Sequence, residues 1–296
     1  MHVAAIFGPG CSTKNLKPFQ KDSEVTWLID PHASSIQADA IVIFGGDGTV
    51  HRHLAHLVKR RLPVLVVPCG SGNDFARALN LRSVGEALAA WRKFSSGGGN
   101  VRSIDLGVVT PLIADRDGAG DPPAPHYFCC VGGVGLDGEI ARRANQLPRW
   151  VRANGGYILS FLPALLRFAP IVMKISAARG RGGALAAQSA RPLVVAAFAN
   201  APAYGGGMKI APQAKLDDGA LDICLIPAMS NLKLCWFFPT IYFGRHLNIP
   251  PVEYFQTGRL RVETEKPHDV YADGEYVCHT PIEASVEQGA LRVICP

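Results

Sequence analysis

Short apolar runs punctuate the first part of the chain. Residues 3–7, 40–44 and 64–67 are too short for helices and too uniformly apolar for strands with one wet face, so they read as buried strands. Between and after them, residues 50–60 and 75–79 carry apolar positions at helical spacing. Strands alternating with helices predict a parallel α/β sheet. Past the glycine triplet 97–99 the texture changes to β-rich runs at 104–109, 126–131, 193–198, 221–226 and 260–264, which predict a second, mainly β domain. Segments 115–125 and 177–191, rich in Gly, Pro, Ala and charge without periodicity, read as surface loops.

Two helical patterns interrupt the β region. One covers 137–168 with a break near Pro148, and the other covers 232–246. Both are unusually apolar, with Trp150, Tyr157, Phe161 and Phe168 in the first and Trp236, Phe237, Phe238, Tyr242 and Phe243 in the second. Aromatic stripes usually pack into cores. The alternative is a lipid entrance, with Arg149, Arg152, Arg167 and Arg245 meeting headgroups. The most apolar stretch, 155–173, is interrupted by Pro163, Arg167 and Pro170, so it is not expected to cross a membrane.

Composition narrows the classes. At 296 residues the chain favours two domains with a cleft between them. With 48% hydrophobic and 18% charged residues it is expected to fold. The formal +6 suits anionic phosphates or an anionic membrane surface, and equally plain solubility. No basic run interleaved with aromatics points to nucleic acid. The 8 cysteines form no CxxC pair and no zinc-like or disulfide spacing, so they read as reduced thiols. The N-terminus enters its first strand without a signal-peptide pattern, which makes the cytoplasm the expected compartment.

The chemistry concentrates in loops. Gly45-Gly46-Asp47-Gly48-Thr49 follows an apolar strand and opens a helical run. Glycines there let the backbone approach a phosphate, and a helix start offers amides and partial positive charge. Asp47 would repel phosphate unless a cation lies between, so it implies Mg2+; otherwise it is the helix N-cap of a plain turn. A second strand–loop–helix turn, residues 68–75, brings Ser71 as a donor, with Asn73 and Asp74 as caps or nucleotide contacts. A third turn, 8–13, could add backbone donors.

GGDGTV at 45–50 followed by PCGSGNDFARAL at 68–79 resembles the diacylglycerol kinase catalytic family. The resemblance continues through VGLDGEIA at 134–141, NAPAYGGGMKIAPQAKLDDGALDI at 200–223 and YADGEYV at 271–277. It implies a Rossmann-like α/β N-terminal domain that binds ATP and a β-sandwich-like C-terminal domain that shapes the acceptor site. The expected boundaries are 1–103, with the tail 286–296 a candidate to return to it, and 104–285. By the same resemblance Gly45, Gly46, Asp47, Gly48, Thr49, Val50 and His51 form the main nucleotide loop. Thr26, placed at the end of the second strand, is a further nucleotide contact. The resemblance also implies that the turn 215–221 holds a structural metal through backbone oxygens of Lys215 and Ala220 and the Asp218 carboxylate, although such a turn closes without metal too.

The acceptor hydroxyl needs a base, and Asp273-Gly274-Glu275 supplies two carboxylates. Glu275 is favoured, with Asp273 as base or Mg2+ partner; a hairpin alone would look the same. The expected activity is ATP- and Mg2+-dependent phosphorylation of a lipid hydroxyl, most simply diacylglycerol to phosphatidic acid, at an anionic membrane surface. The expectation includes no nucleic-acid partner and leaves room for a homodimer. The alternatives are an NAD kinase, which shares the GGDGT loop, and a nucleotide- or lipid-binding regulator without turnover.

Overall fold

A computed structural model of the chain describes residues 1–21, 24–29, 38–113, 124–146, 168–178, 183–187 and 190–296. These form two compact units, Met1–Asp105 with Gln288–Pro296, and Leu106–Glu287.

The first unit rests on parallel strands β1 (His2–Phe7), β2 (Thr26–Ile29), β3 (Ala40–Gly45) and β4 (Val64–Pro68), in the spatial order β4-β3-β1-β2. The strand β3 is buried along its length and β1 and β4 nearly so, which is why their sequences are uniformly apolar. The connecting helices are α1 (Thr13–Leu16), α2 (Asp47–Arg60), α3 (Asp74–Ala78) and α4 (Val84–Ser95). In α2, Val50, Leu54 and Leu57 are buried while Arg52 and Lys59 face water. The helix α4 has a legible start that the periodicity reading passed over: the Ser83 hydroxyl accepts from the Glu86 amide at 3.1 Å. It carries the fully buried Trp91, whose ring lies 5.3 Å from that of Trp27.

Registers of Phe7 with Phe44 and of Gly45 with Pro68 bring the ends of β1, β3 and β4 to one edge of the sheet. The loops that follow these strands therefore emerge together. The strand order reverses between β1 and β3, the position where open α/β sheets leave a crevice for ligands.

The second unit is antiparallel. It is built from β5 (Val101–Pro111), β6 (His126–Phe128), β7 (Val131–Gly135), β8 (Ile171–Ala178), β9 (Leu185–Ala187), β10 (Arg191–Ala199), β11 (Leu221–Pro227), β12 (Glu253–Thr257), β13 (Arg259–Thr264), β14 (Asp269–Ala272), β15 (Glu275–His279) and β16 (Ile282–Ile294). The ends of β5 and β16 continue into the first unit, where Val293 pairs with Val64. The hub is β10, which pairs with β7, β8 and β11. A break in register between Leu193 and Val195 accompanies this branching. Phe128, Val134, Ile175, Phe198, Leu225 and Val262 meet in the core, with the Phe128 and Phe198 rings edge-on at 5.6 Å. Among the described residues two helices accompany the sheet, α5 (Leu136–Gln146) and α6 (Asn231–Tyr242), the latter followed by a short turn of 3-10 helix, Arg245–Asn248.

Some expectations change. The apolar run 126–131 is two strands, β6 and β7, separated by a bend at Cys129-Cys130. The segment 177–191 is not simply a loop, because Leu185–Ala187 pairs with β8; alanines are weak strand formers, and the ladder offered by β8 overrides that preference. The helix expected over 137–168 is seen as α5, and residues 147–167, with Arg149, Trp150, Arg152, Tyr157, Phe161 and Arg167, lie outside the described residues, as does 114–123. Among the described residues no helix is long and apolar enough to cross a membrane.

Phe198→Ala removes a fully buried ring at the hub strand. It should lower the unfolding free energy by about 3–5 kcal/mol, read from the urea midpoint of the variant.

Candidate active site

The glycine loops of the first unit touch backbone to backbone. A Cβ on Gly46 would come within 2.9 Å of the Gly70 Cα, and one on Gly70 within 2.5 Å of the Gly46 Cα. No side chain fits there. Gly8 and Gly45 serve Thr49 in the same way, since added Cβ atoms would lie 2.2 Å and 2.7 Å from its hydroxyl oxygen.

Asp47 stitches these loops together. Its Oδ2 accepts from the Asp74 amide and its Oδ1 from the Phe75 amide, both at 3.0 Å. Asp47 is therefore not the N-cap of its own helix, a place taken by Gly46; it holds the start of α3. Asn73 sits in the left-handed region with φ 54°. Its Oδ1 accepts from the Gly70 amide at 2.9 Å and its Nδ2 donates to the Gly70 carbonyl at 2.6 Å. Asp74 is buried and pairs with Arg77 at 2.5 Å. Burial pushes the Cys69 thiol up to about 12, with Cys11 beside it adding to the shift.

The side chains of this edge are thus largely committed to shaping it, and what remains for a ligand is backbone. At the start of α2 the Thr49 and Val50 amides donate to the Gly46 carbonyl at 2.9 and 3.2 Å, and this helix end carries the positive end of the helix dipole. Gly45, Gly46, Asp47, Gly48, Thr49, Val50, His51, Ser71, Asn73 and Asp74 all gather at this edge. Val50 and Thr49 point inward and are buried, whereas Ser71 is exposed at the loop tip. Thr26 is a correction: it begins β2 instead of ending it. Its register partner is His2, so it lies at the opposite end of the parallel sheet from Gly8 and Gly46. A half-buried edge strand has too weak an apolar pattern to fix its own limits.

In the second unit, Asp273 and Gly274 form the two-residue turn between β14 and β15, both with positive φ, 51° and 83°. The segment is therefore a hairpin turn. The Asp273 carboxylate accepts the Cys129 and Cys130 amides, each at 2.8 Å. Asn200 grips the same bend from the other side, its amide donating to the Cys130 carbonyl at 2.8 Å and its Nδ2 to the Cys129 carbonyl at 3.0 Å. Asp273 thus clamps the bend. Glu275 is half-buried, and no hydrogen bond or ion pair to its carboxylate occurs among the described residues.

The turn near Lys215 and Ala220 is closed by Asp218, whose Oδ1 accepts from the Ala220 amide and whose Oδ2 accepts from Gln256, each at 3.2 Å. Gln256 also donates to the buried Asp222 at 3.2 Å, and the Tyr254 hydroxyl donates to Asp222 at 2.6 Å. Burial pushes the Asp222 carboxyl up despite those donors. Among the described residues no cluster of three or more His, Cys, Asp or Glu gathers for a metal, so ligands at this turn would include backbone oxygens. The partnerships of Asn200, Asp222 and Gln256 were not found from sequence, which marks turns but not what their side chains reach.

An apolar pocket with a cavity volume of about 30 Å³ lies in the same unit. Leu136 and Ile140 of α5, Met208, and Leu234, Phe237 and Ile241 of α6 line it, and among the described residues no charged side chain does.

Residues 15–109 match the diacylglycerol kinase catalytic domain, and residues 130–295 match the YegS C-terminal NAD kinase beta sandwich-like domain. A protein of Mycobacterium tuberculosis named diacylglycerol kinase is 33% identical over 258 residues, covering 87% of this chain and 77% of that one. The chain belongs to the diacylglycerol kinase family. A Pseudomonas aeruginosa relative, named "Probable lipid kinase YegS-like", is 27% identical over 281 residues, 92% of this chain and 83% of its own. Crystal structures from Bacillus anthracis share the fold over 100% of the chain, with TM-scores of 0.73 and 0.68 at 23% and 21% identity and 95% and 97% of their own chains covered. The second is described as a diacylglycerol kinase. As a member of that family, with its α/β N-terminal and β-rich C-terminal parts, the protein is a kinase.

If Asp47 holds α3 as described, Asp47→Ala should destabilise the ligand-free kinase by about 3 kcal/mol, while Ser71→Ala at the exposed tip should cost less than about 0.5 kcal/mol. Equal melting temperatures for the two variants, followed by calorimetry, would remove that role.

Proposed function

We propose that the protein is an ATP- and Mg2+-dependent lipid kinase that phosphorylates a lipid hydroxyl, with diacylglycerol as acceptor and phosphatidic acid as product. The observation that carries this reading is the uncharged pocket of the second unit. An acyl chain asks for apolar walls and no polar partner, whereas the phosphates of a dinucleotide need donors or cations. The first unit is the nucleotide unit and the second the acceptor unit. The acceptor is met at an anionic membrane surface on the cytoplasmic side, and the formal +6 suits that surface.

In this reading the backbone of Gly45, Gly46, Gly48, Thr49, Val50 and His51, with the Ser71 hydroxyl, receives the phosphates of ATP. Asn73 and Asp74 fix the loop that presents Ser71. Mg2+, when bound, neutralises charge on the phosphate oxygens. Asp47 would hold it, as the carboxylate at the start of α2 in the loop that receives the phosphates. Glu275 takes the acceptor proton: a hydroxyl far above neutrality in pKa benefits from a carboxylate free to receive it. Asp273 holds the turn that presents Glu275.

The test offers labelled γ-phosphate from ATP to diacylglycerol, monoacylglycerol, sphingosine and ceramide in mixed micelles, with NAD in parallel. Label is expected in diacylglycerol; label in NAD alone would sink the lipid reading, and none anywhere would favour a binding protein. Glu275→Gln should lower kcat by about 10²- to 10⁴-fold with the KM for ATP little changed.

We further assign a structural cation to the backbone oxygens of Lys215 and Ala220 and the Asp218 carboxylate, an all-oxygen set suited to Mg2+ or Ca2+. Either ion should raise the melting temperature relative to a chelator, and Asp218→Asn should abolish the rise. A wild-type melting temperature indifferent to both ions would remove the site.

A further inference from the structure

The helix α6 is apolar on two opposite sides. Leu234, Phe237 and Ile241 are buried and wall the pocket. Leu232, Trp236 and Pro239, with Phe243 just past the helix, recur at steps of four, three and four residues, the spacing of a single helical face. This outer stripe lies in solvent: Leu232 is 73%, Trp236 79% and Phe243 70% exposed. Scattered apolar residues on a surface need no explanation, but a contiguous stripe ending in two aromatics marks a contact.

Charge identifies the contact. From 228 to 252 the sequence holds Lys233, Arg245 and His246 and neither Asp nor Glu. Lys233 and Arg245 are exposed near the two ends of the stripe, and the Arg245 guanidinium lies 5.9 Å from the centre of the Phe243 ring. His246 is buried and donates from Nε2 to the Ile210 carbonyl, and burial pushes its pKa down, so it adds no charge at neutral pH. An apolar face with cations at its margins and no acid is the pattern of a helix lying in a membrane interface, rings at the acyl boundary and cations on phosphates. Self-association through the same stripe would bring the cations of two copies together, with no acid in the segment to oppose them.

We infer that α6 is the plate on which this protein docks to an anionic bilayer. Its outer stripe of Leu232, Trp236, Pro239 and Phe243 enters the interface, and its inner stripe walls the pocket that receives an acyl chain. The inference rests on the lipid-kinase reading for the pocket's occupant and on exposure and charge alone for the docking.

The test is cosedimentation of the whole protein with phosphatidylcholine vesicles with and without phosphatidylglycerol, together with quenching of tryptophan emission by brominated lipid. Wild type should bind the anionic vesicles and be quenched, with the quenching lost in Trp236→Phe. The triple variant Leu232→Ser, Trp236→Ser, Phe243→Ser should lose about tenfold or more in vesicle affinity. Its turnover of a short-chain diacylglycerol dissolved as monomers should stay within about twofold. Lys233→Glu, a milder change, should weaken binding to anionic vesicles alone, so the idea stays testable if the triple variant misfolds. Unchanged vesicle affinity in these variants overturns the docking, whatever the kinase assay gives. Stripe-dependent binding by a protein that phosphorylates no lipid upholds the docking and removes the kinase reading instead. A stripe variant that only turns a dimer into a monomer makes α6 a subunit interface and overturns the inference.

Discussion

Adjacent backbone amides at a sharp bend cannot both find partners in regular secondary structure, and a buried amide left alone costs about as much as a lost hydrogen bond. A carboxylate accepts two at once. Asp47 does this for the amides of Asp74 and Phe75, and Asp273 for those of Cys129 and Cys130. In the first unit the rest follows from that grip. Drawing the start of α3 to Asp47 brings the second loop onto the first, and the contact of Gly46 with Gly70 tolerates no Cβ. Asn73 then closes the loop on Gly70 from a left-handed conformation that Asn adopts more readily than most residues. This edge is shaped before any ligand arrives, which reduces the ordering cost of binding there.

The second unit divides the same labour between neighbours. Asp273 is fixed on one side of the Cys129-Cys130 bend and Asn200 on the other, so the hairpin between β14 and β15 is anchored to the strand bearing the bend. Glu275, one residue beyond the turn, is left without a partner among the described residues. The positive φ of Asp273 and Gly274 ties this arrangement to the residue types that accept it. A clamp and a free carboxylate in one short motif resemble two interchangeable acids only when the partners are unseen.

That contrast shows where the sequence was legible. The buried strands β1, β3 and β4 and the glycine turns after them are local patterns, and local patterns can be read. The grip of Asp47 on α3 spans 27 and 28 residues, and that of Asp273 on the bend spans 144 and 143, distances at which spacing carries no signal. Thr26 was misplaced because β2 is a half-buried edge strand whose limits are set by pairing with β1. The strand β9 was missed because Leu185–Ala187 owes its conformation to β8, not to its own residues. The apolar aromatics of α6 were legible as a population, but their sorting into a buried and an exposed stripe needed the packing.

The identity of the acceptor is written in no local pattern either. The fold and the glycine loops are compatible with several acceptors, so in the proposed reading the choice lies with the second unit. An uncharged pocket separates lipid from dinucleotide, because buried phosphates without partners are strongly disfavoured. It separates one lipid from another only weakly, since a methylene more or less in an apolar site changes binding by about 1–3 kcal/mol. Diacylglycerol, sphingosine and ceramide differ chiefly in the polar groups around the hydroxyl. Discrimination among them must therefore come from hydrogen-bonding groups that face that hydroxyl, not from the walls that hold the chain.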